Sequence, residues 1–139
     1  MDKEILVMEV LSDEMIKAGK KLVQALDNIQ AQVEAAFWIY YADERTWKLF
    51  ISSELVKSDG PRSFYKKIME ASNKIENDTP IVSLHNVVAT DKSNTFVNLL
   101  KLSISTGDEI SGIRFSKNMI NGIYIEDAYI YRMKLTPQG

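Results

Sequence analysis

The chain of 139 residues contains no cysteine and a single histidine, His85. Without cysteine there can be no disulfide, no thiolate nucleophile and no cysteine-ligated zinc, and the absence fits an intracellular protein. Long apolar runs are missing as well: nothing approaches the roughly 20 residues that span a bilayer. The start, Met1-Asp2-Lys3-Glu4, is mixed in charge and leads into only a short apolar run, so no signal peptide is read there. A cytoplasmic location without membrane contact is expected. Neither charge sign dominates, since the net charge is −2. That removes the footprint of a protein that grips nucleic acid through its phosphates, and nucleic acid is not expected as the partner. Gly107 and Gly112 match neither the phosphate-loop nor the dinucleotide fingerprint, and a Gly-x-Ser-x-Gly elbow is absent, so no cofactor and no catalytic residue is implied.

What remains is the composition of an ordinary folded chain. Apolar residues at 45% and charged residues at 26% argue against disorder and low complexity. A chain of this length buries about two-thirds of its unfolded surface, enough for a core, and reads as one domain over residues 1–139.

The strongest local signal is Asn121-Gly122 between Ile120 and Ile123. Asn-Gly flanked by alternating apolar residues specifies a two-residue type I′ hairpin, because both turn positions need φ > 0. The turn sets a register: Ile120 faces Ile123, Met119 Tyr124, Lys117 Glu126, Phe115 Ala128, Arg114 Tyr129, Ile113 Ile130 and Gly112 Tyr131. Arg114 then lies diagonal to Asp127 on one face.

Taken in order, Met8, Leu11, Met15, Ala18, Leu22, Ala25 and Ile29 fall at helical steps. Ser12 followed by Asp13-Glu14 resembles an N-cap with acids in the first turn, so the helix is placed at about 12–28. Residues 4–11 are open between a helix extension and a short strand, and the heptad-like spacing could also serve a self-pairing seam. Val33–Ala42 and Trp47–Ser53 alternate as two strands about the polar turn Asp43-Glu44-Arg45-Thr46. Pro61 opens a second helix to about Glu76. A strand is read over Ile81–Ala89, then a third helix capped by Asp91 or Ser93 and ended by Gly107. The tail Thr136–Gly139 is expected to fray. Strands grouped as hairpins with helices between them predict an α+β fold: about five mostly antiparallel strands, with three helices mainly on one face.

Several stretches, Glu14-Met15-Ile16-Lys17-Ala18-Gly19, Gly60-Pro61-Arg62, Ile110–Ser116, Ile120-Asn121-Gly122 and Ile125–Arg132, resemble a group of small uncharacterised bacterial proteins. The likeness runs from about Leu11 onward. It implies a bacterial protein and carries no activity or site residues with it.

Candidate chemistry is sparse. His85 on a strand-like stretch reads as a structural or surface residue rather than a base. Glu126 and Asp127 are neighbours on a strand and point to opposite faces, so a metal site would need acids from Glu34, Asp43, Glu44 or Glu54. The Lys20-Lys21 and Lys66-Lys67 doublets read as solvated. Trp38, Tyr40, Trp47 and Phe50 read as core rather than a base-stacking platform. One hairpin face collects Arg114, Asn118, Asp127, Tyr129 and Tyr131, a mixture of charge, hydrogen bonding and aromatic surface suited to recognition if exposed. If covered, Arg114–Asp127 becomes a structural pair. The leading expectation is a non-enzymatic protein-interaction module that binds another protein or itself as a homodimer. The alternative is a small metal-dependent enzyme acting on nucleic acid or a phosphorylated substrate. Three acids converging in one pocket would favour the second.

Overall fold

A computed structural model describes residues 3–135. The expectation for the tail Thr136–Gly139 falls outside them. Helix α1 (Asp13–Asn28) starts where its cap predicts: the Ser12 side chain accepts a hydrogen bond from the Met15 N–H at 3.1 Å. The first hairpin follows as β1 (Val33–Tyr41) and β2 (Thr46–Ser53). A six-residue helix, α2 (Glu54–Asp59), continues directly from β2 with Ser53 as its cap; it is too short for its periodicity to show in the sequence. Helix α3 (Pro61–Asn73) begins at the proline, whose missing N–H costs nothing in a first helical turn.

Only the end of the stretch read as a strand over 81–89 pairs in the sheet, as β3 (Val87–Thr90). Before it, Leu84–Asn86 forms a 3-10 turn and Ile81 makes an isolated bridge with Glu4. Helix α4 (Thr95–Leu100) is capped by Asn94, which accepts from the Phe96 and Val97 N–H groups, and ends well short of Gly107. The last hairpin is β4 (Ile113–Ile120) and β5 (Ile123–Met133).

The sheet has the order β3-β2-β1-β5-β4. All neighbours are antiparallel except β2 and β3, which run parallel because α2 and α3 form the crossover between them. Among the described residues the fold is therefore α+β on a mixed five-stranded sheet with four helices. The helices lie mainly on one face, as expected, with α4 alone on the other. Helices α1 and α3 cover Ala36, Trp38, Trp47, Leu49, Ile51 and Tyr131, while α4 covers Phe37, Ile39, Phe50 and Ile130 on the reverse. The two apolar faces of β1 account for this, since a strand apolar on both sides needs cover on both.

The Asn-Gly corner forms as read, with φ of 51° at Asn121 and 80° at Gly122. Five of the seven facing pairs stand. Lys117, at φ 49°, drops out opposite Glu126 without changing the register on either side. Pairing of the seventh fails because the Ser111 N–H bonds to the Tyr131 carbonyl at 2.6 Å, one residue out of step; Tyr129, not Tyr131, packs over Gly112. Further along, β5 carries one extra residue against β1, between the pairs Phe37–Ile130 and Ala36–Arg132. Such a bulge re-aims side chains. Here it turns both Tyr131 and Arg132 towards α1, where strict alternation would send them to opposite faces.

Candidate functional site

The segment before α1 and strands β1, β2, β4 and β5 together bound a groove. Glu9, Val10 and Leu11 form one side, β4 and β5 the other, and Tyr40 and Trp47 the floor, enclosing about 290 Å³. Within it Arg114 and Asp127 make a two-toothed ion pair, Nε to Oδ1 at 2.7 Å and a terminal nitrogen to Oδ2 at 2.6 Å. The diagonal placement across the hairpin produces it: the carboxylate stands one pleat away from the arginine on the same face. The aspartate holds the guanidinium above its ordinary basicity by hydrogen bonding, against a smaller opposing effect of burial. The guanidinium carbon also sits 5.8 Å from the ring centre of Trp47, within cation–π range.

Residues 6–10 form a strap without regular structure, bent at Glu9 and Val10, and its end lines the groove. The Trp47 indole N–H donates to the Glu9 carbonyl at 2.8 Å, and the Tyr40 hydroxyl to the Glu9 carboxylate at 3.3 Å. Burial, and then the Glu9 charge, push the Tyr40 phenol up, so it is a neutral donor at physiological pH. Chemically the groove offers a solvent-facing cation already matched by its own carboxylate, on an aromatic base.

The five residues read from the sequence part company. Arg114 and Asp127 meet, with 47% and 20% of their side chains exposed. Tyr129 is half-buried behind them, edge-on to Tyr131 at 5.4 Å. Asn118 is exposed, and its carboxamide oxygen accepts from the Met119 N–H. Tyr131 is enclosed beneath α1, where its hydroxyl donates to the Ile16 carbonyl at 2.7 Å and accepts from the Trp38 indole N–H at 2.9 Å, so it offers no surface. The exposed-face alternative thus holds for the tip of the hairpin and the buried one for its base. Sequence reading missed Glu9 and Val10, which come from a segment without a clear period, and Trp47, whose indole N–H was the available clue to a polar neighbour.

The other candidates are placed plainly. His85 is exposed in the 3-10 turn. Trp38, Trp47 and Phe50 are buried and form no stacking platform. Tyr65, beside Lys66-Lys67, is spent on the β3 edge, donating to the Val87 carbonyl and accepting from the Ala89 N–H, both at 3.0 Å. Glu34 has its carboxyl raised by burial and then by Glu54, with a hydrogen bond from Ser52 opposing. Among the described residues no three His, Asp or Glu side chains are grouped to hold a metal ion. Among them, too, no helix is long and apolar enough to cross a membrane. No family model, no curated protein and no solved structure matches this chain.

Proposed function

We propose that the chain is a protein-interaction module that self-associates through the rim of the Arg114–Asp127 groove. The observation that carries this reading is where the exposed apolar side chains lie. Of the eight large ones among the described residues, six fall in two short segments, Leu6, Met8 and Val10 on the strap and Met119, Ile123 and Tyr124 at the hairpin tip. Val10 lines the groove, and Tyr124 lines a neighbouring recess that shares Tyr40 and Glu126 with it. Scattered apolar residues are ordinary on a surface, whereas a concentrated set bordered by polar groups marks a contact site. Leu6 and Val10 are 77% and 75% exposed, so the strap presents apolar side chains at both its ends. The central ion pair adds orientation, and the low net charge opposes association little. The resemblance to small bacterial proteins supports a bacterial setting. The alternative of a metal-dependent enzyme draws no support from the scattered carboxylates.

Sedimentation velocity over a micromolar series tests the proposal. The wild-type chain should move from monomer towards dimer with concentration, and Met119→Lys with Tyr124→Glu should hold it monomeric with unchanged melting. A wild-type chain that stays monomeric throughout removes self-association, and cross-linking in native cells then tests the groove against a different protein.

A further inference from the structure

On the far side of α1 from the groove, a second concavity runs between that helix and residues 74–80. It has two lobes that share Lys21, Gln24 and Thr79, of about 310 Å³ and 270 Å³. The larger lobe is lined by Ala18 and Pro80, with Lys17, Lys20 and Lys21 along its α1 wall. Lysine stems lie along apolar surface while the ammonium groups stay in water, so an apolar interior with a cationic mouth results. Among the described residues none of these three ammonium groups has a hydrogen-bond or ion-pair partner in the fold. Glu14 is the one acid on the lobe. The facing wall is fixed in place: Lys3 donates through its ammonium to the Ile75 carbonyl at 2.8 Å and the Glu76 carbonyl at 3.2 Å, and the Thr79 N–H bonds back to Glu76. The concavity is therefore a standing feature between anchored elements.

We infer that this cleft binds a small amphipathic carboxylate, its apolar body against Ala18 and Pro80 and its anionic head among Lys17, Lys20 and Lys21. Two arguments select that ligand. Three unmatched cations against one acid, on a chain of net charge −2, make this a locally positive mouth that complements an anion. The volume sits at the lower end of small-molecule sites, about 300–1,000 Å³, and is far too confined for the roughly 800 Å² per partner of a stable protein interface. A free medium-chain acid fits this chemistry better than a phospholipid surface, because the three lysines line one wall of a recess of about 310 Å³ rather than a broad flat face.

The test uses the full chain with octanoate below its micellar range, followed by amide chemical shifts and calorimetry. Octanoate should saturate at one site, shifting the amides of Ala18, Gln24 and Thr79, with propionate and octan-1-ol weaker because each lacks one half of the match. Lys17→Gln with Lys21→Gln should weaken octanoate by about five-fold, the sum of two exposed ion pairs, and leave octan-1-ol unchanged. Gln24→Trp, on a half-exposed helix position that tolerates substitution, should fill the lobe and abolish binding of both; its melting curve reports the fold. The inference is overturned by unsaturable binding, by shifts confined to the hairpin tip, by octan-1-ol matching octanoate, or by the double variant binding octanoate as well as the wild type. It is equally overturned if phosphatidylglycerol vesicles bind the chain and octanoate does not. None of these outcomes depends on self-association, since the cleft and the groove share no residue.

Discussion

At the scale of single residues, Gly19 decides how near α1 comes to the sheet. A Cβ at that position would lie 2.8 Å from the Tyr131 Cζ and 2.9 Å from the Trp38 Nε1, closer than real contacts permit. Neither ring can yield, because both are buried and the Trp38–Tyr131–Ile16 hydrogen-bond relay fixes them. Burial drives the Tyr131 phenol far upward, so the relay keeps its proton at any ordinary pH. Two effects oppose each other in Gly19→Ala. Helix propensity favours alanine by about 1 kcal/mol, while overpacking a filled core costs about 1–3 kcal/mol. The second wins, and urea denaturation should show a net loss of about 1 kcal/mol at unchanged m-value. A stabilised variant would mean that α1 can slide outward without loss.

Among the elements, the two arginines of the last hairpin make opposite uses of the same chemistry. Arg114 pairs with Asp127 near solvent, whereas the β5 bulge carries Arg132 under α1, where it is 5% exposed and pairs with Asp27 at 2.9 and 2.8 Å. Arg132 also donates to the Val33 and Asp108 carbonyls, tying α1, β1 and the loop before β4 to one guanidinium. Removing Asp27 strands a buried cation, a loss of about 3 kcal/mol. Removing Asp127 leaves a cation that water can reach, a loss of about 1 kcal/mol or less. Asp27→Ala should therefore lower the urea midpoint several times more than Asp127→Ala, and equal effects would refute the assignment of roles. The contrast also shows where sequence reading stops. The outer pair was legible because Asn121-Gly122 locks the register from the turn outward. The inner pair was not, because a bulge has no residue signature and shifts every facing beyond it by one. The parallel β3 was hidden for a related reason: a strand of four residues has too few alternations to announce its direction, and only the helical crossover before it hints at the answer. The groove was half-legible, since β4 and β5 supplied the pair while the strap, lacking any period, supplied the wall.

For the molecule as a whole, stability is distributed unevenly, and the interaction surface lies at the weak end. Strand β1 and the half of β5 from Ala128 onward are central in the sheet, and core clusters lie on both of their faces. Of the two sheet edges, β3 is blocked by the Tyr65 hydroxyl, while β4 stays open with Arg114 and Lys117 on it. Cations on an open strand oppose edge-to-edge pairing, which directs any self-contact to the strap and hairpin tip instead. The strap follows the isolated Glu4–Ile81 bridge and the Ile5–Ile81 bond, and is held near its far end by two side-chain bonds to Glu9. Contacts so few open at a small fraction of the global unfolding free energy. Cleavage by a protease specific for apolar residues should thus fall first within residues 6–10, at a rate that urea below the main transition barely changes. Cuts in β1 and β5 should follow the global transition, because their opening requires unfolding the sheet. Dimer formation through the strap should slow the early cut as protein concentration rises, and leave the late ones alone. A strap as resistant as β1 at every concentration would show it to be part of the core, and would leave the hairpin tip as the only apolar contact available to a partner.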